Sequence, residues 1–117
     1  MWLTHAEPVV YLILGHTDMR RSVNGLSAVV SMAHDLDPFS GHLFVFCNRR
    51  KTILKVLYYH RNGFCIWYKR LEKARFRWPD SEDALKRIEA REFMFLLEGV
   101  ALGQVDFYPA ERYSVST

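Results

Sequence analysis

The chain has 117 residues, of which half are hydrophobic and a quarter are charged, and its net charge is +3; this composition suits one folded domain and excludes a disordered chain. Its longest apolar run, residues 9–14, is far shorter than the roughly 20 residues that a membrane-spanning helix needs, and its N-terminus lacks the basic flank and small-residue cleavage site of a signal peptide. We therefore expect a cytoplasmic protein with no membrane partner, folded as a single domain over residues 1–117, with an irregular tail from about residue 102.

The first predicted elements are a strand and a helix. Residues 8–14 are rich in Val, Ile, Tyr and Leu and are followed by Gly15, which favours a buried strand, although periodicity alone does not exclude a helix. Thr17 or Asp18 is the expected N-cap of a helix with an apolar stripe at helical spacing, formed by Met19, Val23, Leu26, Val30 and Ala33. Gly25 lies inside this helix, where it either costs about 1 kcal/mol relative to alanine or lets another element approach closely.

Three strands are predicted next, after a turn rich in Asp, Pro, Ser and Gly at residues 35–42. They cover roughly residues 43–47, 53–59 and 64–71. Asn62 and Gly63 lie between the last two strands, and both accept the positive φ of a two-residue hairpin turn. With these two residues at the centre of the turn, Tyr58 lies opposite Trp67 and Lys55 lies opposite Arg70.

The hairpin is predicted to change character along its length. Both of its faces are apolar near the turn, while charged residues gather at the far end around Lys69 and Arg70. We therefore expect the sheet to be covered on both faces near Asn62 and exposed toward Lys69 and Arg70.

The C-terminal part contributes a second helix. Residues 76–79 form a possible short fourth strand, residues 80–87 are polar, and residues 90–98 carry a helical apolar stripe that is stopped by Gly99. The predicted fold is α+β: a small antiparallel β-sheet of three to five strands, with its central hairpin at Asn62-Gly63, packed with two α-helices.

No combination of residues indicates catalysis, a cofactor or a metal site. The five histidines are scattered and have no pair at metal-ligand spacing, and phosphate-loop and nucleophile motifs are absent. Asp35 and Asp37 are of a type that binds metals, but they precede a proline within a turn, where aspartate commonly caps its own backbone, and a structural role is favoured for both. Cys47 and Cys65 form no C-x-x-C pair and are interpreted as small apolar residues. We expect a protein that is not an enzyme and that binds no cofactor or metal.

Charge is concentrated between residues 49 and 77. This segment contains ten basic residues and one acidic residue, so it carries +9 and the other 88 residues carry −6. A focused positive patch attracts polyanions, whose phosphates release counterions on binding, and aromatic side chains among the cations can stack on unpaired bases. The candidate nucleic-acid-binding residues are Arg49, Arg50, Lys51, Lys69, Arg70, Lys73, Arg75, Arg77, Tyr68 and Trp78.

The aromatic residues of this region have two interpretations. A place in the core is favoured for Phe64 and Trp67, whereas Tyr68 and Trp78 are as consistent with stacking on bases as with burial. The basic residues, in turn, are either a binding surface or an ordinary solvated face.

Three segments together resemble a known family: "TDMRRSVNGLSAVV" (17–30), "DPFSGHLFVFCNRRKTILKVLYYHRNGFCIWYKRLEKARFRWP" (37–79) and "FLLEGV" (95–100). They are similar to the TnpB accessory proteins, the second-open-reading-frame products of the bacterial insertion-sequence group numbered sixty-six. The unrelated RNA-guided nucleases that share the name TnpB are much longer. The resemblance implies a role in transposition beside a separate transposase, and it brings no catalytic residue.

Two functions follow from these observations. The first is a non-catalytic accessory protein of insertion-sequence transposition that binds DNA, at the element ends, through the basic patch. The alternative is an adaptor that contacts the transposase or another accessory subunit, without touching DNA, through exposed aromatic residues.

Overall fold

A five-stranded sheet organises the computed structural model, which describes residues 8–99. The strands are β1 Val9–Ile13, β2 Leu43–Cys47, β3 Ile53–His60, β4 Gly63–Arg70 and β5 Leu85–Glu89, in the order β4-β3-β2-β1-β5. All neighbouring strands are antiparallel except β1 and β2, which are parallel. Helix α1 is Val23–Ala28 and continues into a π-helical segment, Val29–Ala33, and helix α2 is Ala90–Leu97. The predicted α+β class is confirmed; the predicted tail from residue 102 lies outside the described residues.

Both faces of the sheet are covered, because the central strands are apolar on both sides. All five residues of β2 are buried. On one face, Leu26 of α1 and Val30 of the π-helical segment pack against Phe44, Phe46 and Leu57. We call this the α1 face. On the opposite α2 face, a larger core joins residues of the sheet to α2 and to two aromatic residues beyond β4, namely Phe76 and Trp78. A sheet buried on both sides needs such continuous apolar strands.

The first helix begins later than its stripe predicted. Its N-cap is Ser22, not Thr17 or Asp18. The carboxylate of Asp18 instead accepts hydrogen bonds from the backbone N–H and the guanidinium of Arg20. A carboxylate that already binds the backbone two residues later forms a local turn, and this turn competes with helix initiation.

The predicted hairpin register is wrong, because the turn lies one residue earlier in the chain than predicted. The central turn residues are Arg61 and Asn62, so His60 pairs with Gly63 and Lys55 pairs with Tyr68. Arg61 is the residue of this turn that takes a positive φ, 58°. Each residue of β4 therefore pairs two positions away from its predicted partner, and it keeps its face of the sheet because side chains alternate with a period of two.

Strand β5 was not predicted, and residues 76–79 do not form a strand. The polar composition of residues 80–87 indicated no strand, yet Leu85–Glu89 pairs antiparallel with all of β1. Before it, residues 71–84 cross the end of the sheet from edge strand β4 to edge strand β5. We call residues 71–84 the crossing segment. Helix α2 then begins directly after β5, where Glu89 and Glu92 form a reciprocal capping box.

Candidate nucleic-acid interface

One end of the sheet collects three connections. Since β1 and β2 are parallel, their carboxyl ends lie at the same end of the sheet, and antiparallel pairing brings the start of β3, the end of β4 and the start of β5 there as well. Residues 14–22, the β2–β3 turn 48–52 and the crossing segment therefore meet. We call this the basic end, after its cationic residues Arg20, Arg21, Arg49, Arg50, Lys51, Arg70, Lys73, Arg75 and Arg77.

The β2–β3 turn is organised by Asn48. Its Oδ1 accepts hydrogen bonds from the backbone N–H groups of Thr52 and Ile53 at 2.9 and 3.0 Å, and its Nδ2 donates to the Thr52 hydroxyl at 3.1 Å. The backbone N–H of Lys51 donates to the Asn48 carbonyl at 3.1 Å, which closes the turn. Because its side chain is bonded to the backbone, Asn48 fixes the tip of the loop, where Arg49 and Arg50 are exposed to solvent.

The crossing segment is tied to this turn by its backbone. Leu71 N–H donates to the Thr52 carbonyl at 2.8 Å, and Phe76 N–H donates to the Lys51 carbonyl at 2.7 Å. Side chains alternate along the segment, because Phe76 enters the core while its neighbours Arg75 and Arg77 are exposed. The alternation of a strand is thus present without a strand partner, and it places two arginines on the outside beside the turn.

Trp78 anchors the far end of the same segment. Its side chain is only 6% exposed, and its indole Nε1–H donates to the Gly15 carbonyl at 3.2 Å. A buried indole whose N–H is already bonded presents no face to a base. The predicted role of Trp78 in stacking is therefore corrected to one in the core.

Lys69 is also committed to the fold. Its ammonium donates to the carbonyl of Leu97 at 3.1 Å, at the C-terminus of α2, and the side chain is half-buried. Unbonded carbonyls at a helix C-terminus favour such a cation. Lys69 lies opposite Leu54, on the α2 face, whereas the neighbouring Tyr68 lies opposite Lys55 and is 50% exposed. Tyr68 is thus accessible, but it lies on the other face of the sheet from Lys69.

The sequence patterns did not identify three residues that lie at the basic end: His16, Arg20 and Arg21. They follow β1, and the parallel pairing of β1 with β2 brings them beside the β2–β3 turn, where Arg49 Nη2 lies 3.2 Å from His16 Nε2. The adjacent arginines in "MRR" are a visible charge signal. The proximity of these arginines to Arg49, which lies 28 residues after Arg21, depends on strand pairing. No local sequence pattern indicates it.

Two arginines of the basic end are neutralised by neighbouring carboxylates. Arg20 forms an exposed ion pair with Asp18, and Arg70 forms one with Glu72. The hydrogen bonds from Arg20 hold the pKa of Asp18 well below its usual range, and the Glu72 carboxylate raises the pKa of Arg70. Within residues 8–99, the other cations of the basic end have no carboxylate partner, so their charge is available to a polyanion.

Comparison with known proteins gives the family. The sequence profile of the IS66 Orf2-like proteins matches residues 8–106. The chain belongs to this family. It is 37% identical over 91 residues to the uncharacterized protein y4hO of Sinorhizobium fredii (strain NBRC 101917 / NGR234), which covers 78% of this chain and 79% of that protein. It is 34% identical over 95 residues to the uncharacterized protein y4jC of the same strain, covering 81% of each chain. No solved structure matches it.

Membership of the IS66 Orf2-like family confirms the family predicted from the sequence and supports an accessory role in insertion-sequence transposition. No group of three His, Cys, Asp or Glu side chains within residues 8–99 of this IS66 Orf2-like chain is placed to hold a metal ion. Over the same residues, no helix has the length and apolar character required to span a bilayer.

Cys47 and Cys65 are both free thiols. They lie on β2 and β4, which are separated by β3. Cys47 is buried, and burial raises the pKa of its thiol to about 12. A thiol kept neutral in the core acts as a small apolar residue.

Proposed function

We propose that this IS66 Orf2-like protein is a non-catalytic accessory factor of transposition that binds DNA through its basic end. The observation that carries the proposal is the convergence of three separate cationic segments at one end of the sheet. Arg49 to Lys51, Arg75 with Arg77, and Arg20 with Arg21 are far apart in sequence. Hydrogen bonds from the crossing segment and the β1–β2 pairing bring them together.

Burial and charge favour this surface over an ordinary solvated face. A solvated face commonly balances its cations with nearby acids, and here the exposed Arg49, Arg50, Arg75 and Arg77 have no carboxylate partner within residues 8–99. Cations that lack carboxylate partners and are gathered at one end of the sheet raise the local positive potential, and the DNA phosphates that they neutralise release their counterions. Contacts to phosphates give affinity and orientation, and sequence choice requires side chains that reach base edges. The exposed tip of the β2–β3 turn is the best-placed element for that.

A titration against element-end duplex at several salt concentrations tests the proposal. The decisive variant is Arg75→Ala/Arg77→Ala, and its matched control is Arg87→Ala/Arg91→Ala, which also removes two exposed arginines but from β5 and the start of α2. We expect the first variant to weaken binding and to flatten the salt slope by about 0.9 for each phosphate that the protein no longer neutralises. Equal weakening in both variants, or wild-type binding that ignores salt, would contradict the proposal.

The same DNA serves to test the non-catalytic part of the proposal. Incubation of the protein alone with element-end DNA and Mg²⁺ is expected to leave every strand intact. Cleavage that disappears on Asp35→Asn/Asp37→Asn would instead assign a catalytic role to those carboxylates.

A second candidate function, that of an adaptor for the transposase, is favoured by a different observation. At the opposite end of the sheet, the rings of Phe39, Tyr59 and Phe64 contact one another at centroid distances of 5.0–5.1 Å, and Phe39 is 59% exposed. Aromatic residues of this kind anchor protein interfaces. Co-purification with the transposase in the presence of nuclease tests the adaptor. A complex that survives digestion and dissociates on Phe39→Ala supports it, and one that separates when the DNA is digested excludes direct contact.

A further inference from the structure

An open cleft of about 630 Å³ lies at the basic end, between the residues that follow β1 and the β2–β3 turn. It is placed at the carboxyl ends of the parallel pair β1 and β2. Its volume falls within the range of about 300–1,000 Å³ found for small-ligand sites.

The walls of the cleft are fixed by hydrogen bonds from the sheet. Thr17 N–H donates to the Cys47 carbonyl at 2.8 Å. The Lys55 ammonium donates to the carbonyls of Met19 and Arg21 at 2.7 and 2.9 Å. The opposite wall is the turn that Asn48 organises. A ligand would therefore meet a preformed site, which lowers the ordering cost of binding.

The rim of the cleft is cationic. Arg21, Arg49 and Arg50 line it together with His16, whose Nε2 is 3.2 Å from Arg49 Nη2. Asp18 also lines it, but both of its carboxylate oxygens are already bonded to Arg20. The rim thus presents three arginines, and its single carboxylate is neutralised by a fourth. Guanidinium groups in such an arrangement suit a phosphate.

The floor of the cleft is aliphatic. Five aliphatic residues line the cleft, and we call them its floor because Ile13 and Leu14 are buried: Ile13, Leu14, Met19, Val29 and Ile53. An inorganic anion would make no favourable contact with an aliphatic floor. A ligand that carries a flat apolar group next to a phosphate could contact the floor with the apolar group and the arginines of the rim with the phosphate. A nucleotide whose base is unpaired is a ligand of that chemistry.

We propose that this cleft accommodates one unpaired nucleotide of a DNA strand, with its base against the aliphatic floor and its phosphate against Arg21, Arg49 and Arg50. This inference rests on the proposed function, because the cations of the crossing segment continue from the rim and would hold the neighbouring phosphates of the same strand. If the cleft holds an unpaired nucleotide, the protein should bind DNA with a single-stranded end more tightly than blunt duplex DNA.

The experiment compares three labelled probes by fluorescence anisotropy: a blunt duplex, the same duplex with a two-nucleotide overhang, and a blunt duplex lengthened by one base pair. The last two carry the same number of added phosphates, so a difference between them reports the unpaired bases and not charge. We expect the overhang to bind about tenfold more tightly than the lengthened blunt duplex, because the base buries apolar surface against the floor.

Three variants locate the effect. Met19→Ala removes apolar surface from the floor without changing charge, and it is expected to remove most of the overhang preference. Val29→Ala provides a second change in the floor, should the first variant fold poorly. Arg91→Ala, outside the cleft, is expected to preserve the preference, and circular dichroism confirms folding of each protein.

The outcomes separate this inference from the proposed function. If the overhang and the lengthened blunt duplex bind equally and both respond to salt, the basic end binds DNA but the cleft does not take a nucleotide, and the inference is wrong. It is equally wrong if the preference survives both changes in the floor. If none of the probes binds, the proposed function itself fails.

Discussion

The backbone N–H of Phe76 donates to the carbonyl of Lys51 at 2.7 Å, and this bond, together with that from Leu71 N–H to the Thr52 carbonyl, ties the crossing segment to the β2–β3 turn. The phenyl ring of Phe76 is 2% exposed in the core of the α2 face. One residue thus joins the hydrophobic core to the basic end, since its backbone positions the turn and its ring holds the exposed Arg75 and Arg77 on either side. The position of the exposed arginines at the basic end therefore depends on the packing of the core.

Removal of that ring is the first prediction. Phe76→Ala deletes a fully buried phenyl group, and we expect the free energy of unfolding to fall by about 3–5 kcal/mol, measured by urea denaturation. The exposed neighbour Arg75→Ala is the control and is expected to change stability little. A Phe76→Ala protein as stable as the control would show that the crossing segment is not packed as described.

Lys69 is predicted to stabilise the fold and to contribute little to DNA binding. Lys69→Met keeps the half-buried aliphatic stem but removes the hydrogen bond to the Leu97 carbonyl, and a hydrogen bond from a charged group commonly contributes about 1.5–3 kcal/mol. We expect lower stability by urea denaturation with DNA affinity nearly unchanged. Arg77→Ala should instead leave stability nearly unchanged and lower the affinity for DNA. A large drop in DNA affinity in a folded Lys69→Met protein would return Lys69 to the interface.

The exposed pair of Asp18 and Arg20 predicts a gain of function. In Asp18→Asn the side-chain oxygen still accepts from the Arg20 backbone, but the guanidinium loses its carboxylate partner. We expect tighter binding to duplex DNA and a salt slope steeper by about 0.9, which corresponds to one more neutralised phosphate. Asp35→Asn, at the far end of the sheet beyond α1, removes the same charge and should leave both quantities unchanged.

Cys47 predicts a dependence of stability on alkaline pH. Its pKa is raised from 9.0 to about 12 by burial, so above pH 9 the unfolded chain loses this proton while the folded protein keeps it. Stability is therefore complete below pH 9 and falls between pH 9 and 12. At pH 10 the destabilisation from this thiol is on the order of 1 kcal/mol. The measurement is the difference in unfolding free energy between wild type and Cys47→Ala at pH 8 and pH 10, which cancels other titrating groups. A difference that does not change with pH would contradict it.

The sequence predicts local elements of this fold well. The continuous apolar run of β2 and the stripe of α2 with its Gly99 stop are visible directly, and these elements form as expected. The hairpin was placed correctly, but its register moved because Arg61 takes the positive φ that Asn62 and Gly63 were expected to supply. Intrinsic preference for a turn conformation is weaker than the pairing of Tyr59 with Phe64 across the strands, whose rings contact at 5.1 Å.

Long-range pairing is the part that local patterns did not reveal. Strand β5 has only Leu85 and Ile88 as large apolar residues, so its polar composition hides an edge strand that has one buried position. Trp78 looked equally suited to stacking, and its burial depends on the carbonyl of Gly15, 63 residues earlier. The cations between residues 49 and 77 were found by composition alone, whereas Arg20 and Arg21 join them only through the parallel pairing of β1 with β2.

The pairing of β1 with β5 also sets the order in which the molecule can assemble. The hairpin of β3 and β4 closes a two-residue loop, whereas β5 must return to a strand that began some 80 residues earlier, and closing so long a loop delays that step in folding. The crossing segment lies between them, so its arginines reach their places only when the last strand docks. An incompletely folded chain thus has its hairpin but not its assembled cationic surface, so the DNA binding that we propose should appear late, together with the native state.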